Sequence, residues 1–141
     1  MKNKRYFTDE DIKKFVLNIF IQMYQDSFKP DLIVGFARGG LVPGIYLSHL
    51  LGVPFKAVNK DELFTHKKYD FLNVLVVDDI NDTGHTLSDF SNRYSGLFDT
   101  VRYASVVNNE SSSFDVDYYG YSFNKLDEPD WIVFPWEKWW T

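Results

Sequence analysis

The 141-residue chain contains no cysteine. Disulfides, thiolate zinc sites and a cysteine nucleophile are therefore excluded, and nothing marks an oxidising compartment. Positive charge is also short: 15 lysines and arginines face 20 aspartates and glutamates, for a net charge of −5. Broad nucleic-acid binding needs a basic surface, so no nucleic-acid partner is expected; a small anion held by a few placed groups stays compatible. Long apolar runs are missing as well. The apolar-rich stretch at 15–24 is interrupted by Asn18 and Gln22 and is too short to span a bilayer. The basic residues 1–7 lead into no apolar signal segment. A cytoplasmic protein with no membrane partner is the expectation.

What is present suits one folded unit. Hydrophobic residues make up 45% and charged residues 25% of the chain, enough for a single core, so residues 1–141 are expected to form one domain. Aromatic residues reach 18%, many of them after residue 113, where they are expected to cover a ligand or a partner.

Ile12, Phe15, Val16, Ile19, Phe20 and Met23 recur at helical spacing. Thr8 suits the N-cap of that helix, with Asp9, Glu10 and Asp11 placing negative charge in its first turn. Residues 31–36 read as a buried strand, 41–51 as a helix closed by Gly52 and Pro54, and 55–58 as a short strand. Residues 59–70 are polar and read as a loop, and 73–78 as the clearest strand, with Val74, Leu75, Val76 and Val77 in an unbroken run. A helix from Thr83 and a strand over 101–107 follow, then extended pieces at 118–123 and 131–136. Strand and helix alternate, which predicts an α/β fold with a parallel sheet and right-handed crossovers. Ligands in such sheets bind beyond the carboxyl ends of the strands.

Two sequence motifs fall at those ends. The first runs Val76-Val77-Asp78-Asp79-Ile80-Asn81-Asp82-Thr83-Gly84-His85-Thr86-Leu87. Its two strand-end carboxylates can accept from neighbouring sugar hydroxyls, or hold magnesium directly or through water. Thr83, Gly84 and Thr86 then open a helix, where backbone N–H groups and the dipole favour an anion. Diol acceptors beside a phosphate cradle describe a ribose 5-phosphate site. A response-regulator receiver domain also ends an apolar strand in two aspartates, but on its first strand, and it has no place for the Asp82-Thr83-Gly84 turn. The second motif, Phe36-Ala37-Arg38-Gly39-Gly40-Leu41-Val42-Pro43-Gly44, offers glycines for close approach to an anion and a guanidinium for phosphate oxygens.

The first segment resembles the phosphoribosyl pyrophosphate signature of the type I phosphoribosyltransferases, and the second resembles their pyrophosphate loop. Residues 131–137, Trp-Ile-Val-Phe-Pro-Trp-Glu, are similar to the ending of the xanthine–guanine members. The resemblance implies a type I phosphoribosyltransferase-like parallel sheet flanked by helices, with residues 108–141 forming a small C-terminal hood. It implies that Asp78 and Asp79 hold the ribose hydroxyls and a magnesium ion. Arg38 and Gly39 would meet the pyrophosphate, and Asp82, Thr83, Gly84, His85 and Thr86 would wrap the 5-phosphate. Asp82 would serve as general acid or base towards the nucleobase, and Trp131 and Ile132 would flank that base. Trp136, Trp139 and Trp140 are expected in the core or at an interface.

Two departures from the family stand out. Asn109 stands where 6-oxopurine members carry a base-contacting lysine, and its amide is expected to read the base edge instead. The span between Val58 and Asn73 is short for the family's flap; residues 59–70 are expected to close over the site, with Lys60, Lys67 or Lys68 near the pyrophosphate. The implied function is transfer of a phosphoribosyl group from phosphoribosyl pyrophosphate to a nucleobase, a 6-oxopurine first among them, by a homo-oligomer of two or four copies. The alternatives are a non-catalytic regulator that binds the same donor or a nucleotide, and a transferase for a different base.

Overall fold

The computed structural model describes residues 3–59 and 69–140. Lys60, Lys67 and Lys68, expected near the pyrophosphate, lie outside the described residues.

The chain runs β1 (Lys4–Tyr6), α1 (Asp9–Gln25), β2 (Leu32–Phe36), α2 (Leu41–Leu51), β3 (Phe55–Val58), β4 (Tyr69–Asn81) and α3 (His85–Tyr94). A 3-10 turn at Ser95–Leu97 leads into β5 (Phe98–Asn109), β6 (Tyr118–Phe123) and β7 (Trp131–Val133). Five strands form one sheet in the order β3-β2-β4-β5-β6, every pair parallel. A separate parallel pair joins β1 to β7, with Lys4 opposite Trp131. The α/β class and the parallel sheet thus follow the alternation in the sequence.

Helix α1 starts where its cap dictates. Thr8 Oγ1 accepts the Asp11 N–H at 3.1 Å, and the Asp11 carboxylate accepts the Thr8 N–H at 2.9 Å, a reciprocal capping box. The buried stripe Ile12, Phe15, Val16, Ile19 and Met23 then lies against the sheet.

Strand β4 is the centre of the molecule. Val74 to Val77 are fully buried because both faces of the sheet are covered. Alternation sends Leu75 and Val77 into the core under α1 and α2, and Val74 and Val76 into the core under α3. Full burial of each such side chain stabilises the fold by roughly 1.5–3 kcal/mol. This anchors the strand up to Val77 and fixes where its polar end emerges.

Several boundaries differ from the sequence reading. β4 begins at Tyr69, inside the stretch read as loop, and continues through Asn81, where its register with β5 reaches Asn108. Helix α3 starts at His85, two residues later than read, because Gly84 precedes it in a left-handed conformation. Only Trp131–Val133 of the last extended piece pairs in a sheet; Pro135 has no N–H to extend the ladder. The short β1 escaped detection, since three residues carry no periodicity. Among the described residues no helix is long and apolar enough to cross a membrane.

Candidate functional site

Three segments converge beyond the carboxyl ends of β2 and β4. The first is the turn at residues 37–40. Gly40 N–H donates to Phe36 O at 2.7 Å and Leu41 N–H to Arg38 O at 3.1 Å, closing the turn onto the start of α2. The Ala37–Arg38 peptide is cis, and the Arg38 side chain is exposed. A Cβ at Gly39 would stand 1.9 Å from Asp79 Oδ2, so a side chain there would displace either the Asp79 carboxylate or the turn. The glycine turn and the carboxylate of the neighbouring strand are thus in direct apposition.

The second segment is the end of β4. Asp78 and Asp79 are half-buried. The Asp79 N–H donates to Asp78 Oδ1 at 2.9 Å, and the Ile80 N–H donates to Asp79 Oδ1 at 2.7 Å. Each carboxylate is steadied by the amide that follows it, and a carboxylate keeps further lone pairs for a ligand.

The third is the loop at residues 82–86, which turns β4 into α3. Gly84 has φ +96°, and a Cβ there would lie 2.7 Å from Phe114 N. The first amides of α3 have no carbonyl partner within the helix, so they and the dipole favour an anion. These three segments line one cleft of about 350 Å³ that includes Arg38, Gly39, Asp78, Asp79 and residues 82–86. All nine residues assigned to donor binding from sequence therefore lie together.

The loop has a rigid backing. Ser113 donates to Thr83 O through its N–H at 3.0 Å and its hydroxyl at 2.8 Å. Buried Asn81 donates to Phe114 O at 2.7 Å and to Asn108 Oδ1 at 3.0 Å. Asn109 Nδ2 donates to Asp82 O at 2.8 Å. The polar stretch after β5 is a scaffold for the loop, a role its composition did not reveal.

A second cleft, about 110 Å³, opens beside the first and shares Asp79, Ile80 and Asp82 with it. Its other walls come from the hood: Phe123, Lys125, Trp131, Ile132 and Phe134 among them. Trp131 is 55% exposed and Ile132 is buried, so a ring and an aliphatic side chain both border the space. Trp136 stacks flat on Phe134, ring centroids 4.8 Å apart, behind that wall. Trp139 and Trp140 are exposed, and so are not core residues.

Asn109 is placed differently from the reading of it as a base-edge contact. It is 5% exposed and lines neither cleft. Its oxygen accepts from Ser111 N, Ser111 Oγ and Lys125 N, and its amide group holds Asp82. Among the described residues the cationic group lining the second cleft is Lys125, whose Nζ meets Asp82 Oδ2 at 2.9 Å and Oδ1 at 3.0 Å. Sequence reasoning missed it: Lys125 sits in a charged, turn-like stretch with no motif around it.

Hard oxygen donors are the right chemistry for magnesium, which is commonly held by one or two carboxylates together with waters and ligand phosphates. Asp78 and Asp79 supply such a pair, and among the described residues no cluster of three or more acidic or histidine ligands forms a dedicated cage. The residues present therefore fit a magnesium ion that arrives with a phosphorylated ligand.

The fold has counterparts. The family model described as phosphoribosyl transferase domain matches residues 3–138. A purine phosphoribosyltransferase from Pyrococcus horikoshii superposes with a TM-score of 0.81 at 30% identity, over 96% of this chain and 95% of that one. A xanthine-guanine-hypoxanthine phosphoribosyltransferase of Helicobacter pylori superposes at 0.74 with 21% identity, over 97% and 94% of the two chains. An orotate phosphoribosyltransferase of Oceanobacillus iheyensis is 35% identical over 81 residues, a match spanning 52% of this chain and 40% of that protein's length.

Proposed function

This chain belongs to the phosphoribosyl transferase domain family, and we propose that it transfers the 5-phosphoribosyl group of phosphoribosyl pyrophosphate to a 6-oxopurine, releasing pyrophosphate. The observation that carries this reading is the junction of the two clefts at Asp79, Ile80 and Asp82. One cleft is built for anions and hydroxyls, the other for a flat ring, and a bond formed between their occupants would form at that junction.

In this scheme the amides and hydroxyls of residues 83–86 hold the 5-phosphate. Asp78 and Asp79 accept from the ribose hydroxyls, and Arg38 and the Gly39 backbone meet the pyrophosphate. Asp78 and Asp79 would also hold magnesium; when bound, that ion neutralises charge on the departing pyrophosphate. Positive charge develops on the sugar as the bond to pyrophosphate lengthens. In this scheme the carboxylates at the end of β4 would stabilise that charge. Asp82 stands beside the space for the base and takes or gives a proton there. Trp131 and Ile132 border the base and exclude water, which would otherwise hydrolyse the donor.

The purine assignment is supported by the 30% identity to the Pyrococcus horikoshii purine enzyme over nearly the whole chain, and the 6-oxo preference by Asp82 and the 131–137 ending. Residues 1–141 act as one domain in this proposal, with 108–141 as the hood over the base. An assembly of two or four copies belongs to it too; exposed Leu17, Ile21 and Tyr24 on α1 form an apolar stripe that such an assembly would cover.

The test is pyrophosphate release from phosphoribosyl pyrophosphate and magnesium, across xanthine, guanine, hypoxanthine, adenine, uracil and orotate. Release that depends on a 6-oxopurine and is greatly slowed in Asp82→Asn supports the proposal. Release with orotate alone reassigns the base. Donor binding without release from any base turns the reading to a non-catalytic regulator.

A further inference from the structure

An open sheet has two edges, and each offers main-chain N–H and C=O groups to any strand that comes alongside. In the five-stranded sheet those edges are β3 and β6. β3 carries an exposed lysine, Lys56, a charge of the kind that keeps edge strands apart. β6 has no such charge. Its residues, Tyr118-Tyr119-Gly120-Tyr121-Ser122-Phe123, include no ionised group and no proline, and all but Gly120 and Ser122 are aromatic. That is the composition of a short segment that pairs with copies of itself.

The missing deterrent comes from helix α1. Tyr119 stands opposite Ser105 of β5, its neighbour on the inner side. Gln22 Nε2 donates to Tyr119 O at 2.7 Å, and the Tyr119 N–H donates to Gln22 Oε1 at 3.1 Å. One carboxamide thus engages both main-chain groups of a strand residue, as an adjoining strand would. One helical turn earlier, Asn18 Nδ2 donates to Gly120 O at 3.1 Å. Gly120 permits this approach, since a Cβ there would lie 2.3 Å from Phe15 Cβ and 2.8 Å from Phe15 O.

Asn18 and Gln22 are the residues that interrupt the apolar run of α1. Asparagine is a weak helix former, so its place in the middle of a helix answers to something other than the helix itself. Positions four apart share one helix face, and here that face is turned to the main chain of β6. Two β6 strands related by a two-fold axis would run antiparallel and meet the same uncharged sequence, with no repulsion between them.

We propose that Asn18 and Gln22 guard the β6 edge, and that the partner they exclude is β6 of a second copy of this chain. The inference is independent of the catalytic reading.

The experiment is sedimentation velocity of the full chain over a range of concentrations, with the wild type, whatever its assembly, as reference. Asn18→Ala/Gln22→Ala is expected to add faster-sedimenting species that grow with concentration, and Gln22→Ala alone to add less of them. In the dilute double variant the Tyr119 amide is expected to exchange its hydrogen roughly 2- to 13-fold faster, the range for loss of one hydrogen bond. Misfolding would also produce large species, so two charges are compared in the double-variant background. Tyr119→Lys, at a β6 position that is 41% exposed, is expected to return the wild-type profile, because it charges the edge without restoring the lost bonds. Tyr24→Lys puts the same charge on the exposed face of α1 and is expected to leave the extra species in place. A double variant that sediments as the wild type does overturns the proposal. So do extra species that survive Tyr119→Lys, or that Tyr24→Lys removes equally well.

Discussion

Gly39→Ala isolates the contact on which the donor cleft depends. The new methyl would lie 1.9 Å from Asp79 Oδ2, 2.3 Å from Cγ and 2.9 Å from Cβ, where ordinary contact begins at 3.4 Å. No small adjustment relieves that overlap, so either the Asp79 side chain leaves or the glycine turn does. Departure of Asp79 breaks its bond with the Ile80 N–H, worth roughly 1.5–3 kcal/mol for a charged acceptor. An off-rotamer side chain adds about 0.5–1.5 kcal/mol. The cost is then about 2–4.5 kcal/mol, and it falls on the carboxylate assigned to the ribose and the metal. If that cost is taken from binding, affinity for phosphoribosyl pyrophosphate with magnesium drops roughly 30- to 2,000-fold. If the turn moves instead, the same cost appears in the unfolding free energy. Urea unfolding and calorimetric titration on the same samples separate the two routes. Gly96→Ala serves as control, since a Cβ there meets nothing within 4 Å. A Gly39→Ala protein with wild-type stability and donor affinity within about threefold refutes the apposition of turn and carboxylate.

Three further outcomes are expected. Gly84→Ala forces a side chain into a left-handed conformation at about 1–2 kcal/mol, before the clash with Phe114 N is counted; urea unfolding reads the loss. Trp131→Ala raises KM for the base roughly 5- to 150-fold and leaves KM for the donor unchanged in steady-state assays, because stacking on a base is worth about 1–3 kcal/mol. Asp117 gives a pH signature. Loss of hydration pushes its carboxyl pKa up and Asp26 adds to the rise, against the Tyr103 N–H bond at 2.8 Å and Arg102. A carboxyl whose folded pKa is raised favours the folded state while protonated and costs stability once pH climbs through that pKa. Asp117→Asn keeps the acceptor for Tyr103, so its melting temperature should exceed that of wild type near neutrality. The gap should close as pH falls below the usual carboxylate range, in thermal melts followed by circular dichroism.

The parts of the site that were legible in the sequence are those whose chemistry is local. Val74 to Val77 announce a strand buried on both faces, and Asp78 through Thr86 follow with no break, so strand end, acidic pair and helix start are one continuous text. The 37–40 turn is equally local, and both motifs met in one cleft. What escaped depends on residues far apart. Lys125 takes its meaning from Asp82, and Asn109 takes its own from holding both. Asn109 was read by its position after the strand; its register on β5 decides that the amide turns into the protein. Ser112 and Ser113 look like a polar break, yet they support Thr83 and Asn81. Likewise β1 has no pattern of its own and exists because β7 lies beside it.

The β1–β7 pair has a bearing on how the protein comes into being. Arg5 on β1 donates to Tyr121 Oη at 2.6 Å and to Glu128 and Asp130 at 3.0 Å each, clasping the hood from the other end of the chain. The donor cleft is assembled from successive strands and helices that can associate as they leave the ribosome. The base cleft closes a loop of 125 positions between Arg5 and Asp130. The entropy of such closure grows only by about 0.6 kcal/mol per doubling of length, but its partner residues are synthesised well after Arg5 and after both strands of the first cleft. The two clefts therefore complete in order along the chain: the one proposed to hold the sugar phosphate can form before the one proposed to take the base.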